Sequence, residues 1–186
     1  MYCVHVGLCA MTIALHGDEH QKSTFLPRLA AGEVGAYSLS EAGAGTDAAA
    51  MTCKAKLSDD GTHYVLNGEK MWVTNGAQAK ILVLFAKDVD HPDYGSKKHG
   101  GTTAFIVDST YEGFSVGKKE DKHGSRSSAP CTLVLNDCKV PVENAIKGVG
   151  NGFPIAMNAL DNSRIGIAAQ ALGIAQGLSL IHISEP

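Results

Sequence analysis

The chain has 186 residues, with sixteen Lys and Arg against nineteen Asp and Glu, for a formal charge of −3 at pH 7. Its 44% hydrophobic and 19% charged residues are ordinary for a folded domain with a real core, and the balance leaves no electrostatic footprint for nucleic acid or an anionic membrane surface. The five cysteines (3, 9, 53, 131 and 138) are odd in number and lack C-x-x-C spacing. That pattern fits reduced thiols better than a disulfide framework, with a Cys131–Cys138 bridge as the alternative.

Val4, Leu8, Met11 and Leu15 recur at helical spacing, which predicts a helix over Met1–Leu15 that Gly17 ends. It has no positive n-region, its first basic residue being Lys22, and fifteen residues are too few to span a bilayer. Asp18 predicts the N-cap of a second helix through Ala30, interrupted by Pro27. His16 and His20 are separated by Gly17, and two ligands make a poor zinc site, so no metal is expected.

From Val34 to about Val142 the pattern is β. Apolar runs at Ile81–Ala86, Thr103–Val107, Phe114–Val116 and Cys131–Leu135 alternate with turn residues at Asp59-Asp60-Gly61, Asn67-Gly68 and the polar insert Asp88–Gly101. Many short strands without intervening helices predict an antiparallel sandwich or barrel. The run Lys118–Lys122 has the composition of a solvated surface. After Gly148-Val-Gly150-Asn-Gly152 the period returns to helical, predicting one long helix from Phe153-Pro154 to Leu178. On it, Asp161 and Arg164 stand three apart and are surface neighbours.

Two stretches have the residues to hold a ligand. Tyr37, Ser38 and Leu39 lead into a small-residue loop, Ser40-Glu41-Ala42-Gly43-Ala44-Gly45-Thr46-Asp47. Its glycines let the backbone approach a neighbour and turn amides toward an anion. Trp72-Val73-Thr74 offers an aromatic plane and a hydroxyl that would share one face of a strand. A flat ligand with a phosphate tail suits both, and FAD is such a ligand; a plain core tryptophan is the competing reading of Trp72. Gly43 to Ala48 also satisfies the G-x-G-x-x-G/A fingerprint, but a β-hairpin rather than a helix follows, which argues against a nicotinamide site.

Five blocks occur in a telling order: YSLSEAGAGTD, LNGEKMWVTNG, GKKEDKHGSRSS, NDCKVP and LDNSRIGIAAQALGIAQ. Together they resemble the acyl-CoA dehydrogenase family, with the flavour of its short-chain (butyryl-CoA) members, from about Gly17 to about Gln176. The resemblance implies an α+β fold: the end of an N-terminal helical domain (1–33), an antiparallel β domain for FAD and acyl-CoA (34–147), and the start of a C-terminal helical domain (148–186).

It also implies α,β-dehydrogenation of a short-chain acyl-CoA to a trans-2-enoyl-CoA. In the family a carboxylate takes the α-proton, the β-hydrogen leaves as hydride to the flavin, and electrons pass to an electron-transfer flavoprotein. Residues Tyr37 to Thr46 and Trp72, Val73 and Thr74 would line FAD. Thr46, Asp161, Asn162, Ser163 and Arg164 would edge the acyl-CoA site, in place of a local ion pair. One branch of the family has its catalytic Glu just before the Arg, where this chain has Ser163; the other branch supplies it further along. No catalytic residue is therefore assigned within 1–186, Glu185 included, and the chain alone is expected to be inactive and to bind FAD poorly.

The tail from Leu178 to Pro186 departs from the family pattern and reads as a truncation or junction. A homotetramer at full length is implied, in bacterial cytoplasm or mitochondrial matrix, with no membrane span and no nucleic acid. The alternatives are a flavin-dependent oxidase on the same fold, or a DNA-associated adaptive-response paralogue acting as a binding module.

Overall fold

The structure, a computed structural model, describes residues 2–126 and 128–183. Met1 and the end of the apolar tail, with Glu185, lie outside the described residues.

Helical turns open the chain. α1 (Tyr2–Val4), a π-helical stretch (His5–Ala10) and α2 (Met11–His16) follow without a break. Gly17 then turns extended, and a side chain there would meet the Ile13 carbonyl at 2.6 Å. α3 (Glu19–Ala30) begins on a reciprocal capping box: the Asp18 carboxylate accepts from the Gln21 amide, and the Gln21 side chain accepts from the Asp18 amide. Pro27 lies inside α3 and does not interrupt it as expected. Only its last turn follows, so the missing N–H removes a single bond near an end that frays in any case.

Among the described residues seven strands come next: β1 (Gly35–Ser38), β2 (Lys54–Leu57), β3 (His63–Val73), β4 (Ile81–Asp88), β5 (Thr102–Asp108), β6 (Phe114–Lys119) and β7 (Cys131–Pro141). They form one sheet in the order β1-β4-β2-β3-β7-β6, with β5 also on β4. β5 runs along one edge of β4, so β1 (at Ile81–Leu84) and β2 (at Lys87–Asp88) share the other edge, end to end. The class is α+β as expected, but these two pairings are parallel and the sheet is mixed. The physical reason is that the β2–β3 hairpin reverses the chain and the turn after Val73 reverses it again, so β4 emerges running with β1 and β2.

β4 and β5 read as unbroken apolar runs because both of their faces are covered. Leu82, Leu84, Ala86, Phe105 and Val107 point into a cluster with Tyr64, Leu66, Leu133 and Val140 from β3 and β7. Ile81, Val83, Phe85, Ala104 and Ile106 point the other way, against Cys9, Ile13, Phe25 and Leu29 of the N-terminal helices and Ile155, Ala156 and Ala159. Those last three belong to α4 (Gly152–Ile183), which passes through Gly177 and outruns its predicted end at Leu178.

Gly152 seats α4 directly on β5, where a Cβ would lie 2.6 Å from the Thr103 carbonyl carbon and 2.8 Å from the Ala104 nitrogen. Gly152→Ala should therefore cost about 1–3 kcal/mol, since backbone cannot move aside as a side chain can; urea unfolding measures it. Beyond Ala159 the helix stands largely exposed, with Ile165, Leu172, Ile174 and Ile183 in solvent. By length and composition alone α4 could cross a membrane, and its apolar stretch is not buried inside the protein.

Candidate functional site

The small-residue loop follows β1 and is closed by a tight turn. Glu41 and Ala44 exchange backbone hydrogen bonds of 3.0 and 3.1 Å, leaving Ala42 and Gly43 at its tip. Side chains added at Gly43 or Gly45 would meet nothing within 4 Å, and neither residue has a positive φ. The chain's own packing thus gives no reason for glycine at either place. Among the described residues, the amides of Gly43, Gly45 and Thr46 donate to no protein acceptor. Asp47 closes the loop with an ion pair to Lys98 at 2.6 Å.

The loop and Trp72 meet although about thirty residues separate them. The Met71 amide donates to the Ser40 carbonyl at 2.8 Å, which puts the neighbouring Trp72 at the loop's base. Beneath this bond lies a buried ion pair: the Lys70 ammonium donates to Glu41 Oε1 at 2.8 Å and to the Leu39 carbonyl at 3.2 Å. Glu41 Oε2 accepts from the Thr52 amide at 2.6 Å and the Thr52 hydroxyl at 2.8 Å, and Oε1 also accepts from the Cys53 amide at 3.0 Å. Burial alone would push the Glu41 carboxyl up, but the Lys70 charge and the Thr52 hydrogen bonds outweigh it and hold it below the usual carboxylate range.

Trp72 is 63% exposed, so it is not a core tryptophan. It has φ +57° within an irregularity of the β3–β7 ladder between Lys70 and Val73. A bulky residue in the left-handed region costs about 1–3 kcal/mol, and such strain gathers where a side chain must be aimed. Trp72→Gly should remove that strain at little loss of packing, leaving thermal stability unchanged or raised by up to about 1 kcal/mol. A clear drop in melting temperature would mean that the indole serves the fold.

Not every residue expected around a ligand is free to touch one. Ala42, Gly43, Gly45, Thr46 and Trp72 are exposed, and Leu39, Ser40 and Thr74 are half-buried. Tyr37, Ser38, Glu41, Ala44 and Val73 are buried against the protein itself. The expected shared face of Trp72 and Thr74 does not form, because β3 ends at Val73 and Thr74 already lies in the turn. The left-handed Trp72 breaks the alternation that the expectation assumed.

On α4, Asp161 and Arg164 form an exposed pair at 3.7 Å, Asn162 donates to Asn158 at 3.3 Å, and Ser163 donates to the Leu160 carbonyl at 2.9 Å. No hydrogen bond joins residues 161–164 to the loop among the described residues. The link is indirect: the Tyr37 hydroxyl donates to the Ala156 carbonyl at 3.4 Å, about 7.5 Å along the helix before Asp161.

Sequence reasoning missed two features. Lys70 sits in an alternating strand, where a lysine reads as solvent-facing, yet it is fully buried. A cavity of about 430 Å³ beside the loop's exit is lined by Thr52, Lys54, Lys87, Tyr94, Lys97 and Lys98, residues that only the fold gathers. The one sequence signal for Lys70 was its place in the two-residue period of the apolar Tyr64 and Leu66, which puts it on their face of β3.

Comparison with known proteins adds to this geometry. Residues 36–138 match the family described as acyl-CoA dehydrogenase, middle domain, and residues 1–33 match its N-terminal domain. A short-chain specific acyl-CoA dehydrogenase of Clostridium acetobutylicum is 51% identical over 174 residues, covering 93% of this chain and 44% of the relative. Butyryl-CoA dehydrogenase from Megasphaera elsdenii superimposes with a TM-score of 0.86 at 47% identity, over 94% of this chain and 44% of that one. A structure described as an electron transferring flavoprotein of Acidaminococcus fermentans matches with a TM-score of 0.87 at 45% identity, over 94% and 44%. An acyl-CoA dehydrogenase from Bacillus anthracis, complexed with FAD, matches with 0.79 at 41% identity, over 87% and 26%. The chain thus spans less than half the length of these relatives.

Proposed function

The chain belongs to the acyl-CoA dehydrogenase family, and from that premise we propose that residues 1–186 form the FAD-binding part of an enzyme that desaturates a short-chain acyl-CoA. The observation that carries this reading is the solvent-facing, strained Trp72, next to the Met71 that bonds to Ser40, together with two glycines of the same loop whose missing side chains leave open space. A planar ring against the indole and a phosphate over the loop would fill that space, so the residues present fit FAD.

Trp72 would pack against the isoalloxazine, with Thr74 beside it. The Ser40 hydroxyl and the free amides of Gly43, Gly45 and Thr46 would donate to the pyrimidine edge and the phosphates. Donors aimed at that edge favour negative charge accumulating there. When bound, FAD supplies the acceptor for the hydrogen leaving the β-carbon. Thr46, Asp161 and Arg164 would position the thioester arm, and the lysines at 54, 87, 97 and 98 suit the phosphates of its nucleotide end.

The proton acceptor is assigned outside residues 1–186, since Ser163 holds no titratable proton at useful pH. The division into 1–33, 34–147 and 148–186 belongs to the same proposal, as do a homotetramer at full length, electron transfer to an electron-transfer flavoprotein, and a cytoplasmic or matrix setting. All five cysteines are free thiols, which suits a reducing compartment.

Trp72 is the single tryptophan, so its emission reports the site directly. Added FAD should quench it saturably but weakly in the 186-residue chain, and butyryl-CoA should give no enoyl-CoA. Emission indifferent to FAD would overturn the cofactor assignment. Enoyl-CoA formed by the chain alone would overturn the placement of the base.

A further inference from the structure

We propose that the buried Lys70–Glu41 pair is a positioning device that holds the glycine loop against the strand end bearing Trp72, so that ligand grip depends on it. The ligand part of this inference rests on the FAD reading above.

The pair sits where three separate pieces of chain converge. Lys70 ties β3 to Leu39 and Glu41 at the loop's entrance, while Glu41 ties the loop to Thr52 and Cys53 at its exit. Between those points the loop is held by its own Glu41–Ala44 turn, a single helical turn at Ala48–Ala50, the burial of Ala44 and Met51, and the exposed Asp47–Lys98 pair, none of which reaches β3 through a hydrogen bond among the described residues. Two residues past Lys70 the backbone turns left-handed and sends the indole outward. Any shift of Lys70 relative to Glu41 therefore changes the spacing of loop and indole.

Stability alone does not account for the pair. Desolvating two full charges consumes most of their mutual attraction, and apolar replacements of similar volume are often neutral for folding. What an apolar pair cannot supply is direction. Lys70 has three donors and the carboxylate four acceptor positions, and together they specify one arrangement of three backbones. A greasy contact tolerates sliding.

The test compares the 186-residue chain with its Glu41→Gln/Lys70→Met double variant, which removes both charges and leaves neither unpaired. Urea unfolding, acrylamide quenching of Trp72 without ligand, and FAD titration by Trp72 emission are the three readouts. The expected result is an unchanged unfolding midpoint, altered acrylamide access to Trp72, and a dissociation constant for FAD raised by about tenfold or more. A folded double variant with unchanged Trp72 access and unchanged FAD affinity would overturn the proposal.

Should the double variant not fold, Thr52→Val takes its place, since it deletes one Glu41 contact without stranding a charge. Weaker FAD binding at an unchanged midpoint then supports the proposal, and unchanged binding overturns it. If FAD fails to quench the parent chain, the cofactor reading falls by itself. The positioning role is then decided by acrylamide access to Trp72 alone.

Discussion

Valine at Gly43 or Gly45 should leave the chain as stable as before and weaken FAD binding at least about tenfold, a loss of roughly 1.4 kcal/mol or more. Both halves of that expectation come from the same observation. Nothing in the protein lies within 4 Å of where either side chain would begin, and neither backbone is left-handed, so the fold has no use for glycine there. Surface substitutions of that kind usually move stability by no more than about 0.5 kcal/mol. A ligand laid across the loop would meet the new methyl groups, and its phosphates would lose their approach to the amides. Trp72 quenching measures the affinity and urea unfolding the stability. Equal FAD affinity in parent and valine variants would show that the ligand lies elsewhere.

Lys70→Met alone should be far more damaging to the fold, at about 3–5 kcal/mol, because it strands the Glu41 carboxylate in the interior. The size of the loss should depend on pH, and the sign follows from the environment. In the parent, Lys70 and Thr52 hold the Glu41 carboxyl low, so its contribution is present above the unfolded value of about 4.3 and fades as the pH falls below it. Without Lys70, burial dominates and raises the folded value instead, which favours the protonated form. The variant's deficit should then shrink as the pH is lowered from 8 toward 4, whereas a simple packing defect would not respond. Paired urea titrations at the two pH values separate the cases. A deficit that is equal at both would mean that Glu41 is neutral or solvated in the variant.

These variants bear on different links of one chain of causes. The glycines test what the site admits, and Lys70 tests what holds the site in place. Trp72→Gly stands between them, relieving strain in the fold while removing the plane that a ring would stack on.

Much of this was readable beforehand, and it was readable where local pattern and chemistry coincide. Asp18 and Gln21 form the capping box that their spacing announces. The apolar runs of β4, β5 and β7, and the helical period after Gly152, became the elements they predicted, because burial of a periodic face is a local demand on sequence. The loop's glycines and the exposed indole were likewise marked by residue type.

Long-range geometry decided the rest. No periodicity tells that β4 will run parallel to β1 and β2, since that depends on how often the chain reverses between them. Alternation puts Lys70 on the face of Tyr64 and Leu66, but it does not reveal that a charge can stay there, because that needs a distant partner, and Glu41 comes from another segment. The same limit applies to Trp72 and Thr74, where a left-handed residue at a strand's last turn cancels the two-residue period. The amino-acid order by itself marked the residues that we propose to grip a flat, phosphate-bearing ligand. Only the tertiary structure decided which of them still have a free surface to do it with, because a side chain that the core has already enclosed has none left to offer.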